Sequence, residues 1–181
     1  MKIKTKDLVL MAMMAALTAV CAWITIPIGT VPITLSVLAV FLAGGLLGPG
    51  CAAGAMLVYL FVGAVGVPVF AGFQAGFSSF AGPTSGYLIV YPLMALVSSL
   101  LIRHLPARLP LFVRAVCGML CGLLLCYAGG TAWLAVMNRM SFSAALAAGV
   151  IPFVGFDLLK IAAAAALTVA LEKPLAALDR R

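Results

Sequence analysis

Ionisable chemistry is what this sequence has least of. Of 181 residues, four are Asp or Glu and one is His, and charged residues make up 8%. Paired carboxylates for acid–base work cannot be drawn from so small a set. No Ser or Cys stands close in sequence to a base, so no nucleophilic catalyst is visible. No glycine-rich loop ends in Lys-Ser or Lys-Thr, which excludes the phosphate loop that ATP hydrolysis would need. The five cysteines, Cys21, Cys51, Cys117, Cys121 and Cys126, all lie in apolar runs. Cys117 and Cys121 share a helical face but lack two further zinc ligands, so all five read as small packing residues. The expectation is a protein that is not an enzyme, with no catalytic residue, no metal and no cofactor.

What is abundant is apolar surface. Hydrophobic residues make up 66% of the chain, more than a soluble domain of this length can hide. Lipid is the alternative solvent, and a helical span there takes about 20 mostly apolar residues. The length leaves room for little besides the spans. A β-barrel would show short alternating segments, so the expected fold class is an all-α integral membrane protein. Residues 1–181 read as a single membrane-embedded domain. The net charge of +7 does not point to nucleic acid, because the basic residues sit at the ends of apolar runs.

The first run, Leu8 to Ile26, follows Lys2, Lys4 and Lys6 and is too long for a signal peptide; no small-x-small cleavage site follows it. Pro27, Gly29 and Pro32 break it into an external turn. Further spans are expected at Ile33–Leu47, Ala52–Val65, Tyr87–Ile102 and Leu111–Met137, the last with a break at Gly129-Gly130. Ser143 is placed to cap a short helix up to Ala148, and a final span ends at Leu171, before Glu172-Lys173-Pro174. With six transmembrane helices and both termini cytoplasmic, Lys2, Lys4, Lys6, Arg103, Arg108, Arg114, Lys173, Arg180 and Arg181 lie inside and only Arg139 outside. His104 falls in a polar turn and reads as a surface residue.

Two stretches do not fit a plain bundle. The segment Gly66–Tyr87 carries no charge but four Phe, five Gly and two Pro before Tyr87. Such backbone survives at membrane depth only when buried in protein or lining a cavity, so it reads either as a ligand-covering loop or as an interfacial aromatic belt. The second stretch holds Asp157, the one acid inside an apolar span, with Lys160 three residues on. A charge at membrane depth costs about 2.5–3.5 kcal/mol on insertion scales, so the pair either binds a polar ligand or neutralises itself at a helix contact. The charge count brings both stretches to the outer side. Ala12 and Ala16 form a flat strip suited to close helix approach.

Three groups of residues together resemble one family. They are Val31-Pro32-Ile33-Thr34-Leu35 with Leu42-Ala43-Gly44-Gly45-Leu46-Leu47-Gly48-Pro49; Gly66-Val67-Pro68-Val69-Phe70-Ala71-Gly72 with Gly82-Pro83-Thr84-Ser85-Gly86-Tyr87; and Pro152-Phe153 with Gly155-Phe156-Asp157-Leu158-Leu159-Lys160. The sequence resembles the BioY family, the biotin-specific substrate-binding (S) components of energy-coupling-factor (ECF) vitamin transporters. The resemblance implies a six-helix protein of the bacterial inner membrane that captures extracellular biotin. It implies as partners biotin, membrane lipid, a transmembrane coupling protein and two ATP-binding-cassette ATPases, and leaves self-association open. Asp157 and Lys160 match the family's biotin-binding pair, and Ala12 and Ala16 match its coupling-protein contact. Phe73, Phe77, Tyr87 and Phe153 are then candidate walls for the biotin rings, and Gln74 a candidate amide partner. Ser36, Ser85 and Phe156 depart from the family pattern. The alternatives are an S component for another vitamin and a stand-alone proton-coupled carrier.

Overall fold

The long apolar runs become long helices. In the computed structural model, which describes residues 4–27 and 31–178, α1 spans Thr5–Trp23, α4 Ser85–His104, α5 Leu111–Met137 and α7 Ile151–Leu178. These four are long and apolar enough to cross a membrane. Between them lie the shorter apolar helices α2, Ser36–Leu46, and α3, Pro49–Ala64, and the eight-residue α6, Phe142–Gly149. At about 1.5 Å per residue, α2 rises only about 17 Å and falls short of a bilayer core by itself. Lys2, Gly29, Arg180 and Arg181, which enter the expected charge count and first turn, lie outside the described residues.

Among the differences from expectation, four have a local reason. The second helix begins at Ser36 because Ile33 and Thr34 pair antiparallel with Ile26 and Thr25. The fifth does not break at Gly129-Gly130. A side chain at Gly130 would strike the Tyr87 ring, so the glycine admits an aromatic contact instead of a kink. Ser141, not Ser143, caps α6, its hydroxyl accepting from the Ala144 N–H at 3.3 Å. The last helix runs past Leu171, carrying Pro174 within it.

Small residues set the packing. The α4–α5 contact is close because Gly122 faces Ser98 and the Met94 carbonyl; an added Cβ would lie 2.8 Å from that backbone oxygen. The core joins α1 through Ala15, Ala19 and Ala22 to α2, α3, α4, α5 and α7. Ala12 and Ala16 are exposed on the opposite face of α1, in line with the outward-facing Leu8, Val9, Met13 and Val20.

The bundle has two unlike ends. Lys6 at the start of α1 donates to the Leu175 carbonyl near the end of α7 at 3.3 Å, and Arg103 and Arg114 share a cavity wall with Lys6. The opposite end carries the short ladder, the Gly66–Thr84 loop and α6.

Candidate functional site

The loop is pinned to the bundle by backbone acceptors. The Trp23 indole donates to the Pro68 carbonyl at 2.8 Å, the Tyr59 hydroxyl to Val69 at 3.1 Å, and the Trp133 indole to Gly82 at 3.0 Å. Phe70 is buried and packs edge-to-face on Tyr59 and Phe80. Its ring lies where a side chain at Gly63 would stand. The loop's aromatics divide: Phe70 and Phe80 turn inward, whereas Phe73 is 61% and Phe77 79% exposed. Phe73 stacks on Trp23 at 5.3 Å with φ of 60°, a conformation that side chains other than glycine rarely take. The structure does not bring Phe73 or Phe77 to the cavities described next, so neither stands as a wall here.

Asp157 and Lys160 are 4% and 8% exposed, and on α7 they share a face with Phe153, which is also buried. The Lys160 Nζ donates to Asp157 Oδ1 at 2.8 Å. The Tyr127 hydroxyl on α5 donates to Asp157 Oδ2 at 2.6 Å. A buried charge is tolerable only when paired and hydrogen-bonded, and this carboxylate has a partner on each oxygen. Among the described residues Lys160 uses one of its three donors.

The three polar side chains face a cavity of about 60 Å³ that Phe153, Tyr87, Tyr91, Cys126 and Thr34 also line. Pro32, Thr34, Tyr87 and Tyr91 line in turn a neighbouring cavity of about 90 Å³, which adds Gln74, Tyr59 and Phe70. Gln74, Ser79 and Thr84 then continue into an outer cleft of about 710 Å³. The cavities thus form a chain from the loop inward to Asp157. Gln74 stands at the mouth of that chain and not beside the ion pair.

Hydroxyls close the remaining polar needs. Thr34 and Ser36 hydroxyls lie 2.6 Å apart, and Ser36 lies 2.9 Å from the Tyr91 hydroxyl. The Tyr87 hydroxyl donates to the Gly149 carbonyl at 3.2 Å and lies 3.3 Å from Thr131 Oγ1, holding α4 against α5 and the α6–α7 junction. Phe156 points away and is 49% exposed, so its bulk does not enter the pocket.

Sequence reasoning missed Tyr127, Tyr91, Thr34 and Cys126. A signal was present: the chain has four tyrosines, all within or at the start of apolar segments, and all four line the two inner cavities. A tyrosine in an apolar run needs a partner for its hydroxyl, and such partners gather at polar sites.

Comparison with known proteins gives a consistent result. The model of the BioY family matches residues 1–177. A probable biotin transporter BioY of Pyrococcus horikoshii is 40% identical over 164 residues, covering 89% of this chain and 93% of the relative. The biotin transporter BioY of Thermotoga maritima is 37% identical over 170 residues, covering 93% and 96%. Among solved structures, the S-component for biotin from an ECF-type ABC transporter superposes with a TM-score of 0.87 at 25% identity, covering 95% of each chain.

Proposed function

The chain belongs to the BioY family and functions in biotin uptake, and we propose that it is the high-affinity capture component of an ECF-type transporter driven by separate ATPases. It is a multi-pass membrane protein of the S-component fold. We place it in the bacterial inner membrane, with six crossings made by α1–α5 and α7 and both termini in the cytoplasm. The gathering of Lys6, Arg103 and Arg114 at one end supports that orientation.

The observation that carries the site is the twice-bonded carboxylate of Asp157 at the inner end of the cavity chain. Biotin offers two ureido N–H donors, a ureido carbonyl, a thioether ring and a carboxylate tail. Asp157 accepts from a ureido N–H, Lys160 turns an unused donor to the ureido carbonyl or to the carboxylate, and Tyr127 holds the carboxylate in place. Phe153, Tyr87 and Tyr91 enclose the rings, and Gln74 takes up the part of the ligand nearest the loop. The two inner cavities are smaller than the roughly 300 Å³ at the low end of small-ligand sites. Binding therefore opens them, and the hydroxyl contacts of Tyr87 and Tyr91 are the ones positioned to yield.

Isothermal titration of detergent-purified protein with biotin tests the assignment. Asp157→Asn should weaken binding far more than Glu172→Gln; equal affinities would remove Asp157 from the site. For the partner, Ala12→Trp on the exposed face of α1 should leave biotin binding by the isolated protein intact and abolish uptake by cells. Uptake that survives this change would move the coupling-protein contact elsewhere.

A further inference from the structure

A separate concavity of about 370 Å³ lies at the basic end, between α1, the α2–α3 turn, α4, α5 and α7. Its volume is within the range of about 300–1,000 Å³ usual for small-ligand sites. Lys6, Arg103 and Arg114, from three different helices, line it together with Asp7 and Glu172. The bias of cations toward one side of a membrane distributes them over loops and does not by itself make three converge on one hollow.

The arginines are under-used. Among the described residues Arg114 Nε, cut off from solvent, has no hydrogen-bond partner, and its Nη1 meets the Ile102 carbonyl at 3.4 Å. Arg103 Nε meets the Ser99 hydroxyl at 3.4 Å. Among the described residues neither guanidinium forms an ion pair. Asp7 is occupied by its own helix start, accepting from the Lys4 N–H at 3.1 Å. A guanidinium presents its donors in a planar fork that matches the oxygens of a phosphate.

We propose that this cavity binds a phosphate-type anion, either the phosphodiester of a membrane-lipid headgroup or free phosphate, held by Arg103 and Arg114. Basic hollows between membrane helices are suited to anionic headgroups. Glu172 on the same wall opposes the anion, and this gives the site a sign that can be read. Removing the arginines loosens binding, and neutralising Glu172 tightens it.

The test uses full-length protein in nanodiscs of zwitterionic phosphatidylcholine, with thermal unfolding as the readout. Phosphatidylglycerol is added in one arm and inorganic phosphate in another. Stabilisation by phosphatidylglycerol alone assigns the site to lipid, and stabilisation by phosphate alone assigns it to the free ion. In either case Arg103→Gln/Arg114→Gln should need roughly tenfold more anion for the same shift, and Glu172→Gln less than wild type. Unchanged biotin titration shows that each variant is folded. If the double variant does not fold, the opposite-signed response of Glu172→Gln decides alone. No shift with either anion, or shifts that ignore all three residues, overturns the proposal. The same holds if neither anion acts and the arginine variants instead lose a co-purifying protein partner.

Discussion

The two ends of the bundle handle charge in opposite ways. Around Asp157 the polar groups are buried or half-buried and bonded to one another: carboxylate to ammonium and phenol, threonine to serine to tyrosine. At the other end the cations line an open hollow, and among the described residues a guanidinium nitrogen has no partner. Closed networks hold a defined geometry because losing one member strands the others at low dielectric. An exposed charge such as that of Arg103 loses little when a neighbour goes, since water replaces it. The first end is therefore the one able to hold a fixed donor–acceptor geometry.

Substitutions can break that contrast. Asp157→Asn should have the largest effect, because it leaves Lys160 buried without its counter-charge. Breaking a buried pair costs about 3–5 kcal/mol of stability, so thermal stability should fall, and biotin affinity should fall by roughly two orders of magnitude in calorimetry because the charged acceptor for the ureido N–H is gone. Tyr127→Phe removes one charge-assisted hydrogen bond, worth about 1.5–3 kcal/mol. Its affinity loss should be smaller, about tenfold or somewhat more. Ser36→Ala interrupts the hydroxyl chain and leaves Tyr91 short of a partner; unfolding of the detergent-solubilised protein should show a loss of about 1–3 kcal/mol. Smallest of all, Glu172→Gln and Phe77→Ala should keep biotin affinity within roughly twofold of wild type. A basic-end substitution that matched Asp157→Asn would erase the distinction.

Legibility in the sequence followed the same divide. The long helices announce themselves through unbroken apolar runs, and Asp157 and Lys160 through the rarity of charge within them. The start of α2 was not legible, because Ile33 and Thr34 are apolar enough for a helix, and only their pairing across the turn assigns them to a ladder. Gly129-Gly130 read as a break because a glycine pair weakens a helix in isolation; packing of Tyr87 and Val90 onto the two glycines overrides that preference. Tyr127 was missed because it lies 30 residues from the carboxylate it bonds and looks like one more aromatic in an apolar run. Phe73 and Phe77 were named from the loop's composition, which cannot tell which rings turn inward.

Asp157 and Lys160 cancel each other's charge across 2.8 Å, and that cancellation reaches beyond binding. One elementary charge moved across a membrane potential of 100 mV exchanges about 2.3 kcal/mol with the electric field. A lone carboxylate on α7 would couple every displacement of that helix along the membrane normal to the voltage. With its ammonium three residues away, the pair adds no net charge, and a displacement of this stretch of α7 does no electrical work through it.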